Sequence, residues 1–470
     1  MSTEPTPAPD ADTRRDADTR PGAGAETELT VRADLLEPGR RVRNWGRGEA
    51  ARPTAIARPR TVDEVRATVL AARERGLEVK AIGAGHSFTP TALTDGVLVD
   101  ISAIDGVLAV DAARGRVTLG AGTNLYQLPE LLAPHGLALQ NMGDIDRQTI
   151  AGATSTGTHG TGLAFGGLAT QITALALVTA AGEVLRISER ENAELLPAAR
   201  VAIGALGILV ELELQCVPAF LLRAVERAEP FEVVDEFRER SLAHDHFEAY
   251  WWPHTALLST KTNTRLPAEE PYVPLGRLSG WLEDELLGNA AHALVSGLGW
   301  IAPPVTPPLN RLAAKLYGNR EFTAPSYEVF TSPRRVRFRE MEYAIPAEAL
   351  PSAIREVREL VERKGWRISF PVELRMAAAD ENWLSTAHGR ESAYVAVHRY
   401  WREDPSEYFT AVEAIMRAHD GRPHWGKIHT RTAADLAPAY PRFGDFLAVR
   451  DALDPDRVFA NAYTRRVLGE

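Results

Sequence analysis

The sequence has a single cysteine, Cys216, among its 470 residues. One thiol permits no disulfide within the chain and excludes the paired-cysteine motifs of zinc sites. Arg14 and Arg15 stand near the N-terminus without an apolar run behind them, so no signal peptide is indicated. Low cysteine usage is typical of a reducing compartment, and we therefore predict a cytoplasmic protein.

Excess positive charge and long apolar runs are also missing. The chain carries 53 Lys and Arg against 63 Asp and Glu, which gives a formal net charge of −10. Nucleic-acid binding requires a basic stripe, so we expect no nucleic-acid partner. No stretch approaches the ~18 uninterrupted apolar residues of a transmembrane helix. An anionic cofactor would have to be held by backbone N–H groups and a few local cations.

Three familiar site signatures are absent as well. The dinucleotide fingerprint GxGxxG would need glycine at positions where the chain has Phe88 and Leu125. A GxxxxGK[ST] phosphate loop does not occur. His135, His244 and His254 are isolated and lack metal-ligand spacing, so no metal site is expected. These absences disfavour a Rossmann domain, a P-loop nucleotidase and a metalloenzyme.

Interleaved strand and helix patterns make up most of the chain. Thr61 and Glu64 form a predicted capping box for an amphipathic helix that Gly76 ends, and residues 107–119 and 172–187 have hairpin patterns. Near residue 220 aromatics, Arg and Glu increase. The length exceeds what one core usually organises, so we expect at least two packed units that combine helices with sheets.

Two loops rich in small residues stand out. AIGAGHSF at 81–88 follows a strand pattern and places Gly83, Gly85 and His86 where the backbone could approach a bound group. ATSTGTHGTG at 153–162 offers many N–H and O–H donors with little bulk, as a pyrophosphate site needs. From these residues alone, a surface turn for the first loop and a buried small-residue helix for the second stay open.

Together with GDIDRQTIAG at 143–152 and PHWGK at 423–427, these loops closely resemble the vanillyl-alcohol-oxidase-type flavoproteins, in their aldonolactone and alditol oxidase branch. The order and spacing match over roughly residues 45 to 470. The resemblance implies an α+β fold of two domains, a PCMH-type FAD-binding domain at 45–218 and a substrate or cap domain at 219–430 over an antiparallel sheet. It further implies that 431–470 return to the FAD domain, whereas the acidic, Pro- and Ala-rich residues 1–30 are expected to form a disordered tail.

The family's cofactor contacts carry over onto the two loops and the segments around them. The resemblance implies that His86 is bonded covalently to the 8α-methyl carbon of the flavin, which a neutral imidazole can attack. A second covalent link would need a cysteine in the later loop, where this chain has Thr158, His159 and Thr161. We expect FAD to contact Ala81, Ile82, Gly83, Ala84, Gly85, His86, Ser87, Phe88, Gly122, Gly143, Asp144, Thr149, Gly152, Thr154, Ser155, Thr158, His159, Gly160 and Gly162.

Catalytic candidates come from the C-terminal half. Glu373 and Arg375 alternate in PVELR and share one face of a predicted strand. His398 and Lys427 match polar active-site positions of similar sugar-alcohol oxidases. A base for the hydroxyl proton and cations for developing negative charge are what such chemistry needs. The alternatives are an exposed ion-pair ladder for the first pair and a packing role for His398.

The resemblance implies oxidation of an alcohol group on a sugar-derived lactone of the L-gulono-1,4-lactone or D-arabinono-1,4-lactone type. Hydride would pass to flavin N5 and O2 would be reduced to H2O2, because Gly143 resembles an oxygen-gatekeeper position. Asp144 stands where many sugar-oxidising relatives have serine. Alternatives are an alditol oxidase, a lactone dehydrogenase with a cytochrome, quinone or dye acceptor, and a flavin- or sugar-binding protein without turnover. Residues 266–308 could form a flap, a dimer contact or a membrane-touching element.

Overall fold

A computed structural model of the chain describes residues 36–273, 291–316, 319–332 and 334–470. The predicted disordered tail at 1–30 lies outside these residues, as does part of the 266–308 segment. The strands are β1 Leu36–Pro38, β2 Val42–Arg43, β3 Ala50–Ala51, β4 Ala55–Ala57, β5 Val79–Ile82, β6 Val97–Asp100, β7 Val107–Asp111, β8 Arg116–Gly120, β9 Leu137–Ala138, β10 Ile172–Val178, β11 Val184–Ser188, β12 Ile208–Gln215, β13 Val217–Pro218, β14 Phe220–Pro230, β15 His246–Trp251, β16 Leu257–Pro267, β17 Arg320–Pro325, β18 Phe338–Pro346, β19 Val372–Ala377, β20 Ser392–Tyr400 and β21 Arg422–Pro423.

Helices connect and cover these strands. They are α1 Val62–Glu74, α2 Leu128–Leu132, α3 Ile150–Ser155, α4 Leu196–Ala199, α5 Phe237–Ala243, α6 Ala291–Ile301, α7 Thr306–Leu316, α8 Ser326–Phe330, α9 Leu350–Lys364, α10 Ser406–Ala418, α11 Ala433–Leu436, α12 Phe443–Leu453 and α13 Ala462–Leu468. Within the described part of the chain, no helix is both long enough and apolar enough to cross a membrane.

The first half of the chain builds two larger sheets, besides the two-stranded pairs β2-β3 and β9-β13. One has four strands in the order β1-β4-β6-β5, with β4 and β5 parallel to β6. The other is an antiparallel sheet of five strands, β11-β10-β12-β8-β7, which contains both predicted hairpins. Because β5 ends at Ile82, its carboxyl end delivers the 81–88 loop directly into the space beside α3.

Helix α1 shows how local sequence sets these elements. Thr61 caps it, since its hydroxyl accepts a hydrogen bond from the Glu64 N–H at 3.2 Å. The predicted capping box is wrong in one respect: the Glu64 carboxylate accepts from the N–H of Arg60, at 2.6 Å, instead of from Thr61. The turn before the helix places that earlier N–H within reach of the carboxylate.

The second half forms an eight-stranded antiparallel sheet in the order β17-β14-β16-β15-β19-β20-β18-β21. Side chains alternate across it with the period of two that strands impose. On β18, Met341, Tyr343 and Ile345 belong to the buried core that the sheet shares with α9 and α10. Glu340 and Glu342 therefore face the opposite way, towards the first half of the chain.

The last 25 residues pack back onto the first half. Phe446, Phe459 and Tyr463 belong to the same hydrophobic core as β5 and β6. The Val79 N–H donates to the Val458 carbonyl at 2.7 Å, which fastens this segment to the strand before the 81–88 loop. The residues at which the two domains begin and end, 45, 218 and 430, stay predictions.

Candidate active site

A long cavity lies between the 81–88 loop, α3 and the 203–209 loop. It encloses about 950 Å³ of space that is partly open to solvent. Many predicted cofactor residues line it, namely Ala81, Ile82, Gly83, Ala84, Gly85, His86, Ser87, Thr149, Gly152 and Ser155. The structure thus brings both small-residue loops to one surface.

Backbone N–H groups are the dominant polar feature of this cavity. Among the described residues, none accepts a hydrogen bond from the five consecutive N–H groups between Gly83 and Ser87. A Cβ on Gly83 would lie 2.1 Å from the Thr149 hydroxyl oxygen, which already accepts from Gly152 N–H as the cap of α3. Only glycine permits this close approach, and the N–H groups of residues 83–87, which have no acceptor among the described residues, remain available to an anion.

Lys80 supplies a buried cation beneath the same cavity. Its ammonium group lies 3.1 Å from the carbonyl oxygens of both Gly204 and Phe459. Burial lowers the pKa of Lys80 to about 8, although Asp454 and Glu78 act in the opposite direction. The sequence does not mark this lysine as functional, because a β-strand pattern does not show that its side chain lies next to a cavity.

A second, polar cavity of about 580 Å³ opens from the first. The two share His86, Ser87, Gln148 and Thr156 in their walls. The polar cavity is further lined by Phe88, Gly143, Asp144, Ile145, Thr158, His159, Glu340, Glu342, Glu373, Arg375, His424, Gly426 and Lys427. His86 therefore stands at the junction between an amide-lined space and a charged one.

Arg375 is the centre of one charged cluster in the polar cavity. It forms an ion pair with Glu373 on the same strand face, as the alternation predicts, and its Nε lies 3.0 Å from Glu248 Oε2. Its Nη2 also lies 4.0 Å from Asp144 Oδ1. Asp144 in turn accepts from both Nε and Nη2 of Arg334, at 3.1 and 2.7 Å.

Two carboxyl groups in this cluster have opposite electrostatic environments. Burial raises the pKa of Glu373 to about 7, against the lowering effect of Arg375 and with further increases from Asp144 and Glu248. Burial also disfavours ionised Asp144, but Arg334 and Arg375 outweigh it and hold the pKa of that carboxyl well below its usual range. Glu373 can thus exchange a proton near neutral pH while Asp144 stays charged.

Lys427 is the centre of the second cluster. Its ammonium group forms an ion pair with Glu340 and lies 3.8 Å from Glu342 Oε2. Glu342 also lies 2.9 Å from His159 Nε2. Burial lowers the pKa of Lys427, but the two glutamates reverse the effect and raise it overall. Lys427 therefore remains a cation throughout the neutral range.

His86 is kept neutral at the junction. Burial, Lys427 and Arg147 together lower its pKa to about 4. Its ring stacks on Trp45 with centroids 5.4 Å apart and planes 21° apart. A neutral imidazole has a free lone pair, so this histidine is chemically competent as a nucleophile.

Some predicted site residues line neither cavity. Thr154 donates its hydroxyl to Ile150 O inside α3, and Cβ atoms on Gly122 and Gly160 would lie 2.1 and 2.3 Å from backbone oxygens, so these residues allow close packing. Gly162 pairs with Ala377 in an isolated bridge at φ +122°. His398 lines neither cavity, but its Nε2 lies 3.5 Å from Oε1 of Glu340, which lines the polar cavity.

Sequence analysis missed several residues of the polar cavity, among them Glu340, Glu342, Gln148 and His424. The two glutamates had a readable signal, since they alternate with Met341 and Tyr343 as Glu373 alternates with Leu374. In the sequence the strand pattern is clear only over residues 342–346, whereas β18 begins already at Phe338. Gln148 and His424 lie in loops, where no periodicity shows which side chains point towards a cavity.

These walls fit FAD. A glycine-rich nest of free amides suits a pyrophosphate, and the long cavity continues into a polar one past a neutral histidine. A flavin dinucleotide carries both groups that these linings suit, an anionic pyrophosphate for the amides and a redox-active ring beside the charged side chains. The residues that would hold it are the loop Gly83–Ser87, the Thr149–Thr156 segment and His86.

Comparisons with known proteins agree with this geometry. A profile described as FAD binding domain matches residues 53–188, and one described as D-arabinono-1,4-lactone oxidase matches residues 212–467. An L-gulono-1,4-lactone dehydrogenase of Mycobacterium tuberculosis is 44% identical over 432 residues, which cover 91% of this chain and 98% of that protein. The L-gulonolactone oxidase of Bos taurus is 34% identical, over 91% of this chain and 98% of its own.

Solved structures confirm the predicted vanillyl-alcohol-oxidase-type α+β fold. A solvent-stable cholesterol oxidase superposes with a TM-score of 0.78 at 18% identity, over 94% of this chain and 99% of its own. At that identity the likeness concerns the fold alone. Taken with the profile matches, it shows that the chain belongs to the D-arabinono-1,4-lactone oxidase family of FAD-dependent oxidoreductases.

Proposed function

We propose that this protein oxidises an alcohol group of a sugar-derived 1,4-lactone, of the gulono or arabinono type, with FAD as its redox cofactor. The observation that carries the proposal is Glu373, a buried carboxyl with a pKa of about 7 beside Arg375, in a cavity that shares four wall residues with the proposed FAD cavity. The names of the related lactone oxidoreductases support the substrate class.

The charges of the polar cavity favour a neutral substrate. Arg375 and Lys427, the lysine and arginine side chains in its described lining, are each paired with carboxylates. A substrate carboxylate would meet Asp144, Glu340 and Glu342 without a free cation to offset them. A closed lactone has hydroxyl groups and no net charge, so it can be bound by hydrogen bonds to these side chains.

Bound FAD would supply the acceptor for the hydride that leaves the carbinol carbon. The chain's own residues manage the proton and the charge. Glu373 accepts the hydroxyl proton, since its pKa lies close to neutral pH. Arg375 and Lys427 stabilise the developing alkoxide, because both stay cationic and face the same cavity.

We further propose that O2 is the electron acceptor. Gly143 lines the polar cavity, and a Cβ there would come within 3.1 Å of Thr158 Cγ2 and 3.2 Å of His159 O. An alanine methyl group there would crowd Thr158 and His159 in the same cavity wall, which glycine does not. The alternative acceptor, a cytochrome, quinone or dye, is favoured by the name of the 44% identical relative, a dehydrogenase.

The experiment reduces the enzyme anaerobically with L-gulono-1,4-lactone, with D-arabinono-1,4-lactone, with the matching aldonates and with a polyol, following flavin bleaching. Bleaching by a lactone and not by its aldonate supports the substrate class, whereas fastest bleaching by the polyol would indicate an alditol oxidase. If none of these compounds bleaches the flavin, the protein is a flavin- or sugar-binding protein without turnover.

Reoxidation of the bleached enzyme separates the acceptors. An oxidase regains its absorbance on mixing with air and releases H2O2, and Gly143→Ala slows this step. Gly426→Ala, on another wall of the same cavity, serves as the matched control. Reoxidation that is slow in air and fast with an artificial acceptor would establish the dehydrogenase instead.

We also propose that FAD is bonded covalently to His86. The neutral ring at the junction of the two cavities supports this assignment. Acid-precipitated wild-type protein should retain yellow flavin, and His86→Ala should release it to the supernatant. Free flavin from the wild type would contradict the bond without affecting the proposed reaction.

The cytoplasmic location stays a prediction that cell fractionation tests.

A further inference from the structure

The loop that carries His86 is fastened by a short segment near the start of the described chain. The Trp45 N–H donates to the Gly85 carbonyl at 2.8 Å. The Asn44 side-chain amide donates to the Ser87 carbonyl at 3.0 Å. Carbonyls on both sides of His86 are thus bound by two consecutive residues, which fixes the backbone from which the imidazole projects.

The indole of Trp45 is itself held in place. It makes an edge contact with Phe338, at a centroid distance of 5.2 Å, and another with Phe88 at 6.1 Å. Phe88 and Phe338 stack on each other at 5.5 Å, and a Cβ on Gly46 would lie 2.9 Å from the Phe88 ring. Trp45 therefore presents a fixed flat surface.

His86 rests on that surface with few other constraints. Within the described residues its imidazole nitrogens form no hydrogen bond, and its one close ring contact is the stack on Trp45, 21° from parallel. A side chain without hydrogen bonds can rotate about its two side-chain torsions. The indole face restricts that rotation by stacking.

We propose that Trp45 is a positioning residue that orients the His86 imidazole for covalent attachment to FAD, an inference that rests on the proposed bond to His86. The lone pair of the imidazole forms the new bond to the 8α carbon. One methyl C–H bond and the imidazole N–H bond break, and the two protons leave. The two electrons released would pass to the bound flavin and from there to O2, the acceptor proposed above, which would leave as H2O2.

The neutral state of His86 supports the same role. Lys427 and Arg147 lower its pKa to about 4 together with burial. The imidazole is then already unprotonated at neutral pH, and orientation remains the main requirement for attack. In well-oriented reactions a displacement of about 1 Å can slow the step about 100-fold.

Trp45→Ala, Trp45→Leu and Trp45→Phe test the proposal, with Trp300→Ala as a control, since Trp300 is 42% exposed on α6. Each holoprotein is purified at the same time after induction. Total flavin is read from absorbance, and the attached fraction from flavin fluorescence in denaturing gels and from acid precipitation. We then incubate each protein with added FAD and follow the attached fraction over time.

Trp45→Ala and Trp45→Leu should bind flavin but attach it about tenfold more slowly or worse, whereas Trp45→Phe retains a stacking ring and stays within about threefold of wild type. Equal attachment in Trp45→Leu and wild type would overturn the proposal, even if Trp45→Ala fails to fold. Free flavin in the wild type would overturn it together with the covalent assignment, and His86→Ala would then match wild type.

Discussion

In the polar cavity, the surroundings of a side chain set its pKa more than its residue type does. Glu373 is buried and Asp144 is half-buried, and both lie within reach of Arg375, yet the pKa of Glu373 is raised to about 7 and that of Asp144 is held far below its usual range. The main difference is Arg334, whose Nε and Nη2 both donate to Asp144 Oδ2. Residue identity could be predicted from the resemblance, but this division of roles could not.

The pH dependence of flavin reduction should report Glu373. Its folded-state pKa is raised, so the carboxyl is protonated below about pH 7 and ionised above it. Only the ionised form accepts the substrate proton, and the anaerobic reduction rate should therefore rise through pH 7. Stopped-flow measurement between pH 5.5 and 9 checks this, and Glu373→Gln should remove the step. A flat profile in wild type would exclude Glu373 as the base.

Lys427→Ala should slow anaerobic flavin reduction about 100-fold or more, as loss of a charge that stabilises a transition state typically does. FAD content should stay unchanged, because Lys427 lines the polar cavity and not the long one. Lys364→Ala is a control, because Lys364 also pairs with a glutamate, Glu407 at 3.1 Å, but lines neither cavity. Equal effects of the two variants would remove Lys427 from the reaction.

Strand alternation explains the organisation of the large sheet at the scale of the element. Glu340, Glu342, Glu373 and Arg375 face the cavity, and the residues between them face the helices. The same rule predicted the shared face of Glu373 and Arg375 and would have predicted the glutamates of β18, had the strand been taken back to Phe338. Alternation shows which residues share one face of the sheet, but it does not show which of the two faces is covered by another domain.

Adjacent residues on β19 should consequently have separable effects. Leu374→Ala removes a fully buried side chain from the core against the helices and should lower stability by about 2–5 kcal/mol. Urea unfolding measures this loss, and the reduction rate per folded molecule should change little. Glu373→Gln should instead slow flavin reduction and change the free energy of unfolding little. A reduction defect in Leu374→Ala as large as that in Glu373→Gln would contradict the two-faced sheet.

At the scale of the whole molecule, the site is assembled from distant parts of the chain. His86 comes from the first half, Glu373 from the large sheet, and Lys427 from the loop after β21. The C-terminal segment closes this arrangement: Asn461 Nδ2 lies 2.8–3.1 Å from the carbonyl oxygens of Pro90, Thr91 and Leu93, just beyond the 81–88 loop.

Asn461→Ala should lower the thermal midpoint and weaken flavin retention, because buried carbonyl groups left without a donor cost about 1–3 kcal/mol. Asn461→Asp is the informative comparison. It can still accept from Thr464 N–H as the cap of α13 but cannot donate to the carbonyls. We expect it to be at least as unstable as Asn461→Ala, measured by thermal unfolding with flavin fluorescence. Stability close to wild type would assign the role of Asn461 to helix capping alone.

The sequence by itself determined the local elements and the two loops of small residues, since capping, glycine placement and strand period act over a few residues. Thr61, the 81–88 loop and the Glu373–Arg375 face could be predicted on that basis. Tertiary structure alone decided that Glu340 and Glu342 hold Lys427, that Trp45 stacks on His86, and that the pKa of Glu373 is near neutral. These interactions join residues far apart in the sequence, 41 positions for Trp45 and His86 and 229 positions for Asp144 and Glu373, and no local pattern encodes such pairings.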